Sequence, residues 1–271
     1  MIIRYDSIAA LRADYLALNC DPYEASNPGN DAWYNNETPQ DTLRMAISGD
    51  TRLVAKAEEA ISKLDAIIET PRLVWEPNVA GAFCCVPDVL AGRPTNMRRM
   101  VHRPDERAPI TIIANTASSA GLDTQTLAKR GTVILAFVLA LSRIRPVTLH
   151  QMSTGNGNDG ETVVISQIST TPLDLATACY ALTSCGFTRR ICYAVKTKKH
   201  NGYTHHWPTG YNPTNPINYN NALTLRLGLN PAQSLIIAGA HLHDDLIVRP
   251  IKWITQQIKR FTQQAEEGAD T

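Results

Sequence analysis

Lys196 to Asn221 reads KTKKHNGYTHHWPTGYNPTNPINYNN, and Ile217 is its single aliphatic residue. The stretch sets Lys196, Lys198, Lys199 and His200 beside Tyr203, His205, His206, Trp207, Tyr211 and Tyr219, with Asn, Gly and Pro between them. Single-stranded nucleic acid asks for that mixture: cations for phosphates, flat rings for unstacked bases at roughly 1–3 kcal/mol each, and amides for base edges. The composition predicts a long loop, and its chemistry predicts a grip on an unpaired strand. Arg98, Arg99 and Arg103, with His102 and Arg107, would extend a groove on one side, and Arg189 and Arg190 on the other. The plain alternative is a surface loop that folds its rings back onto the domain, with each arginine cluster a solvated face.

A second set of candidates belongs where the strands of an open α/β sheet end, because ligands bind there at the switch in strand order. Asn115, Ser118, Ser119, Thr170, Thr171, Asp174, His241, His243 and Asp244 are placed for it. His241, His243 and Asp244, with Ser119, have metal-ligand types, although capping and loop polarity explain such residues equally well. Asp123 and Asp174 read as helix-start residues. No phosphate-loop, dinucleotide or nucleophile-elbow motif occurs, so no cofactor and no enzymatic step is expected. The six cysteines form no C-x-x-C pair and read as reduced thiols, mostly buried.

The elements that must position these residues centre on Pro109 to His150. Ile110 to Ile113 is a β-branched strand, Asn115 to Gly121 a loop of small residues, and Gln125 to Arg143 a helix whose second half is apolar on every side. Pro146 then opens a strand at Val147 to His150, completing a βαβ unit and implying a parallel sheet. Upstream, helices are expected over Ser7–Leu18, from Pro39 to Gly49, and over Arg52–Glu69. Leu73–Trp75 and Ala82–Val86 read as a hairpin, followed by a turn and the basic cluster at Met97–Met100. Downstream, a strand at Thr162–Ile168 antiparallel to the Val147 strand, a helix from Asp174 to Gly186, a strand at Arg190–Lys196, a strand at Leu235–Ala238 and a final helix at Pro250–Gln264 are expected. The fold class is therefore α/β, a Rossmann-like and mostly parallel sheet with helices on both faces. Residues 1–70 would be a helical extension packed on the core, 71–265 the α/β domain, and 266–271 a flexible tail.

With 271 residues and a formal net charge of +1, no global positive field announces a nucleic-acid binder, so any such site must be a local patch. The apolar run Val133–Leu141 is too short to span a bilayer, and the amino-terminal residues lack a signal-peptide pattern. A cytoplasmic protein with no membrane partner is the expectation.

The order β-α-β-β-α-β-β-α resembles a von Willebrand A-type domain. That family carries a D-x-S-x-S metal motif after its first strand, at the positions of Asn115, Ala117 and Ser119 here. The missing Asp and first Ser remove a charged ligand and a hydroxyl that a hard cation would want. NNETPQDTLRMAISGD, VPDVLAGRPTNM, RGTVILAFVLALSR and SLIIAGAHL together are similar to a diffuse set of phage proteins with such a degenerate core. Within that set the resemblance implies a protein that binds single-stranded DNA and recruits a phage-encoded RNA polymerase to promoters. A von Willebrand A-type interaction module, with or without the help of a metal ion, working beside an ATPase, and then a metal-dependent hydrolase using His241, His243 and Asp244, are the ranked alternatives.

Overall fold

The computed structural model describes residues 1–18, 34, 36–52, 54–55, 58–59, 73–102, 109–118, 122–157, 160–170, 173–199, 216–241 and 244–267. Its main sheet has five strands in the order β1-β7-β6-β5-β8. β5 (Ile110–Asn115) lies at the middle of the parallel part, between β6 (Val147–Gly157) and β8 (Ser234–Ile237), and runs parallel to both. β7 (Gly160–Ile168) returns antiparallel to β6, as the sequence leads one to expect. β1 (Ile2–Tyr5) then adds parallel to β7 at the edge, with Ile3 opposite Val164. The amino-terminal segment thus contributes a strand to the sheet as well as helices.

Strand pleating sorts the apolar side chains onto two faces. Ile110, Ile112, Leu149, Val164 and Ile237 face a large core made with α1 (Ile8–Ala17), α2 (Pro39–Ser48), α4 (Thr124–Ser142) and α5 (Leu175–Thr183). Ile113, Met152, Val163, Ile165 and Ile236 face the other way, where Leu223 and Leu227 of α7 and its following turn cover them; α7 spans Pro216–Arg226. α4 is long and apolar enough to cross a membrane by length and composition, but in the fold it is the central core helix. Its Ile134, Leu135, Phe137 and Leu141 are completely buried.

Local chemistry explains the boundaries. Ser7, Thr38, Asp123 and Asp174 each cap the helix that follows by accepting a backbone N–H, and Thr38 with Asp41 forms a reciprocal capping box. Gly131 lets α5 cross α4 in near-contact, since a Cβ there would sit 2.3 Å from the Leu182 carbonyl oxygen. That crossing brings Leu182 to Cys185 over the start of α4.

Four expectations need correction. Leu73–Trp75 and Phe83–Cys84 do not pair as a hairpin: β4 (Met97–His102), expected only as a basic cluster, runs between β2 (Leu73–Asn78) and β3 (Phe83–Cys84), with the short α3 (Val86–Leu90) before it. Its two arginines concealed a strand because Arg98 is consumed by Asp88, 2.8 Å away. Arg190–Lys196 is not a strand but part of a helical run, a π-helix at Phe187–Cys192 leading into α6 (Tyr193–Lys199). The loop expected over Lys196–Asn221 is helical at both ends, in α6 and α7, and residues 200–215 lie outside the described residues. The last helix, α9 (Pro250–Glu267), continues past Gln264 into the expected tail. Of the range Arg52–Glu69 expected as a helix, residues 52, 54–55 and 58–59 are described; 52 is in a turn and the other four are helical.

Candidate functional site

At the carboxyl ends of β5 and β8 the chain converges on one guanidinium. Arg130, in the second turn of α4, donates from Nε to Asp244 Oδ2 at 2.7 Å, from Nη1 to the Asn115 carbonyl at 3.2 Å, and from Nη2 to the Ala238 carbonyl. The pair is shielded, with side-chain exposures of 4% for Arg130 and 12% for Asp244. Asp244 Oδ1 is used as well, accepting from Leu246 N at 3.0 Å to cap α8 (Asp245–Val248). Neighbouring polar groups are similarly engaged. Asn115 Nδ2 donates to Thr154 Oγ1 at 3.0 Å and its Oδ1 accepts from Ala117 N at 3.0 Å. The loops after the two strands stay together through Ala240 N donating to the Ala117 carbonyl at 2.8 Å.

Beside this guanidinium lies a small, partly open cleft. Thr116 and Ser118 from the β5 loop, Arg130 from α4, Ser184 from the end of α5, and Thr188 and Arg189 from the next helical run contribute to its wall, which among the described residues holds two arginines and no carboxylate. Arg189 Nη2 reaches Ser118 Oγ at 3.4 Å, and Thr188 Oγ1 donates to Thr116 Oγ1 at 2.8 Å. Burial pulls the Arg189 pKa below its ordinary value. Cys185, also in the wall, is pushed up to about 11 by burial and so is a protonated, unreactive thiol.

Two further titratable groups, Glu37 and Lys196, are buried. Glu37 is raised by burial even though Ser184 Oγ, at 3.0 Å, and the Tyr180 hydroxyl, at 3.2 Å, donate to it. The adjacent Arg190 lies 4.0 Å above the Tyr34 ring and donates to the Glu37 carbonyl at 2.8 Å. Lys196 is completely buried and donates to Ser153 Oγ at 2.9 Å and to the Thr154 carbonyl at 3.1 Å. Burial lowers its pKa to about 8.

The expected nucleic-acid residues are not brought together as a groove among the described residues. Lys196 is inside the protein, where Ser153 Oγ and the Thr154 carbonyl on β6 offer it polar partners. Lys199 is paired with Asp14 at 2.7 Å, and Tyr219 donates to Glu161 on the α7 face. Lys198 and Arg99 are exposed, and Arg98 serves Asp88 on the small sheet. His200, Tyr203, His205, His206, Trp207, Tyr211 and Arg103 lie outside the described residues. Of the metal alternative, Ser119 and His243 also lie outside them, His241 is half-buried, and Asp244 is committed to Arg130. Among the described residues no group of three or more His, Cys, Asp or Glu side chains could hold a metal. Sequence reasoning missed Arg130 because one arginine near the start of an apolar helix reads as surface charge. Its only sequence signal is its place one turn beyond the loop at Asn115, beside Gly131.

Fold and site define an α/β protein with a Rossmann-like sheet whose strand-end crevice is furnished with guanidinium and hydroxyl groups. Residues 1–233 match the family described as a domain of unknown function, DUF7192, and the chain belongs to that family. No curated protein and no solved structure matches the chain.

Proposed function

We propose that this chain is a non-enzymatic interaction module of the von Willebrand A type that works without a metal ion and meets its partner through the carboxyl edge of the sheet. The observation that carries the reading is the Arg130–Asp244 pair at the switch in strand order. Where the von Willebrand A resemblance puts a divalent cation after the first core strand, this chain supplies a fixed organic cation from α4. A metal there would meet an Asn, an Ala and a carboxylate already neutralised, a poor set for a hard ion. The protonated thiols of Cys185 and Cys192, the latter pushed up to about 12 by burial, offer no nucleophile, which favours binding over catalysis.

Affinity capture with quantitative mass spectrometry tests it, using exposed positions around the edge, Gln125→Trp and Asp245→Trp, against Asn221→Trp on α7. The reading expects a partner retained by the wild type and Asn221→Trp and lost from both edge variants. Equal capture by all four proteins overturns it. The rival function is single-stranded DNA binding with RNA polymerase recruitment, and it depends on residues 200–215. Salt-sensitive retention of an unpaired oligonucleotide that Trp207→Ala abolishes, with edge variants unaffected, would install that rival instead.

A further inference from the structure

We propose that the adjacent thiols of Cys84 and Cys85 are a redox pair that a negatively charged, low-molecular-weight disulfide oxidises to an intramolecular disulfide, with Cys85 attacking and Cys84 resolving. The pair belongs to the small sheet, not to the carboxyl edge of the main one, and does not depend on that edge being a contact surface.

Accessibility, charge and backbone support set these two thiols apart. Cys179, Cys185 and Cys192 are buried, whereas Cys84 is exposed and Cys85 half-buried, so a reagent from solvent meets a dithiol and not a single sulfur. Arg98 Nη2 donates to Cys85 Sγ at 3.3 Å and to Asp88 Oδ2 at 2.8 Å, and Arg93 Nη1 donates to Asp88 Oδ1 at 3.0 Å. Two guanidiniums against one carboxylate leave this cluster one positive charge in excess, and negative charge on Cys85 Sγ cancels it. An anionic reagent is drawn to the same excess. The Cys85 backbone is held in place meanwhile: its N–H donates to the Asn96 carbonyl at 2.7 Å, and its carbonyl accepts from Asp88 N at 2.9 Å and Val89 N at 3.0 Å.

Cys85 gives its proton to solvent, because Asp88 is a poor acceptor: the Cys85 thiol, Arg98 and Arg93 hold its carboxyl below the ordinary value. The thiolate attacks one sulfur of the disulfide RSSR, the S–S bond breaks, and RS⁻ leaves. Cys84, deprotonated in turn, attacks the Cys85 sulfur of the mixed disulfide and expels the second RS⁻. Both leaving groups take up the released protons, so two thiols and RSSR become one internal disulfide and two RSH. Adjacent Cα atoms lie about 3.8 Å apart across a trans peptide, closer than the roughly 4.4–6.8 Å that disulfides usually span, so the bond is strained and thiols reverse it. Closing it draws Cys85 Sγ off Arg98 at the turn into α3, whose Val86, Val89 and Leu90 are exposed. An apolar surface thereby acquires a shape that depends on oxidation.

The full chain is incubated with oxidised glutathione, which is anionic, or with cationic cystamine. Free thiols are trapped by alkylation at intervals and the peptides identified by mass spectrometry, each rate being divided by that of the chain unfolded in urea. The wild type should lose Cys84 and Cys85 together to an internal disulfide that dithiothreitol reverses, while Cys179, Cys185 and Cys192 stay reduced. Cys84→Ser should stop at a mixed disulfide on Cys85, and Cys85→Ser should react at Cys84 about tenfold more slowly than that. Oxidised glutathione should outpace cystamine about tenfold at low ionic strength, a gap that salt closes and that Arg93→Gln, at an exposed side chain, narrows. A wild type that stops at the mixed disulfide, a Cys84 that reacts as fast as Cys85, or relative rates blind to the charge of the disulfide overturns the assignment.

Discussion

Arg130 Nε lies 2.7 Å from Asp244 Oδ2 across 114 residues of chain, and this contact ties the start of α4 to the loop that follows β8. Two strands that neighbour each other in the sheet are thereby locked at their carboxyl ends. The same guanidinium also donates to the Asn115 and Ala238 carbonyls.

Removing both partners should cost much less than the two single changes added together. Arg130→Met leaves a buried carboxylate and two carbonyls stranded and is expected to lose roughly 3–5 kcal/mol in urea unfolding. Asp244→Asn keeps an oxygen for the α8 cap and should lose less. The double variant should fall well short of the sum of the two, and strict additivity would show that the pair is not coupled.

Lys196 should make the protein more stable in mild alkali. Its folded pKa is about 8 and the unfolded value is 10.5, so between them the unfolded chain binds the extra proton and stability rises with pH. Lys196→Met should flatten that rise. At pH 7 the variant should be more stable by up to roughly 3 kcal/mol, less what the lost bonds to Ser153 and Thr154 contributed. A wild-type curve that is flat or falling from pH 8 to 10.5, as in the variant, contradicts this.

Glu37 works in the opposite direction. Burial raises its folded pKa above 4.5, so the folded protein holds the extra proton just above that pH and stability falls as pH climbs through the folded value. Glu37→Gln keeps an acceptor for Ser184 and Tyr180 and should remove that fall. Denaturation of both proteins between pH 4 and 8 decides, and parallel curves would assign the slope to other groups.

Much of this architecture could be read from the chain. The βαβ unit around Ile110 and Val147, the antiparallel return at Thr162, the buried strand at Leu235 and the caps at Thr38, Asp123 and Asp174 follow from β-branching, periodicity and capping chemistry, all local signals. What escaped was set by tertiary partners. β1 is four residues long and is a strand only because β7 offers an edge. The 190–196 segment alternates like a strand, but Arg190, Ile191, Cys192 and Lys196 are all buried, each against a different partner, which only a helical run can arrange. The lysine at 196 looked like part of a basic loop because sequence shows charge and not the Ser153–Thr154 strip that accepts it. The candidate site was half legible: strand ends pointed to Ser118 and Asp244, while the cation that organises them sits in a helix.

The central claim is that a built-in guanidinium replaces a metal at the switch in strand order. Thermal unfolding of the wild type and Asp244→Ala with millimolar Mg²⁺ or Mn²⁺, against the same proteins in EDTA, measures it most directly. No saturable rise in wild-type Tm is expected with either ion. A rise of several degrees that saturates with metal and disappears in Asp244→Ala would contradict it.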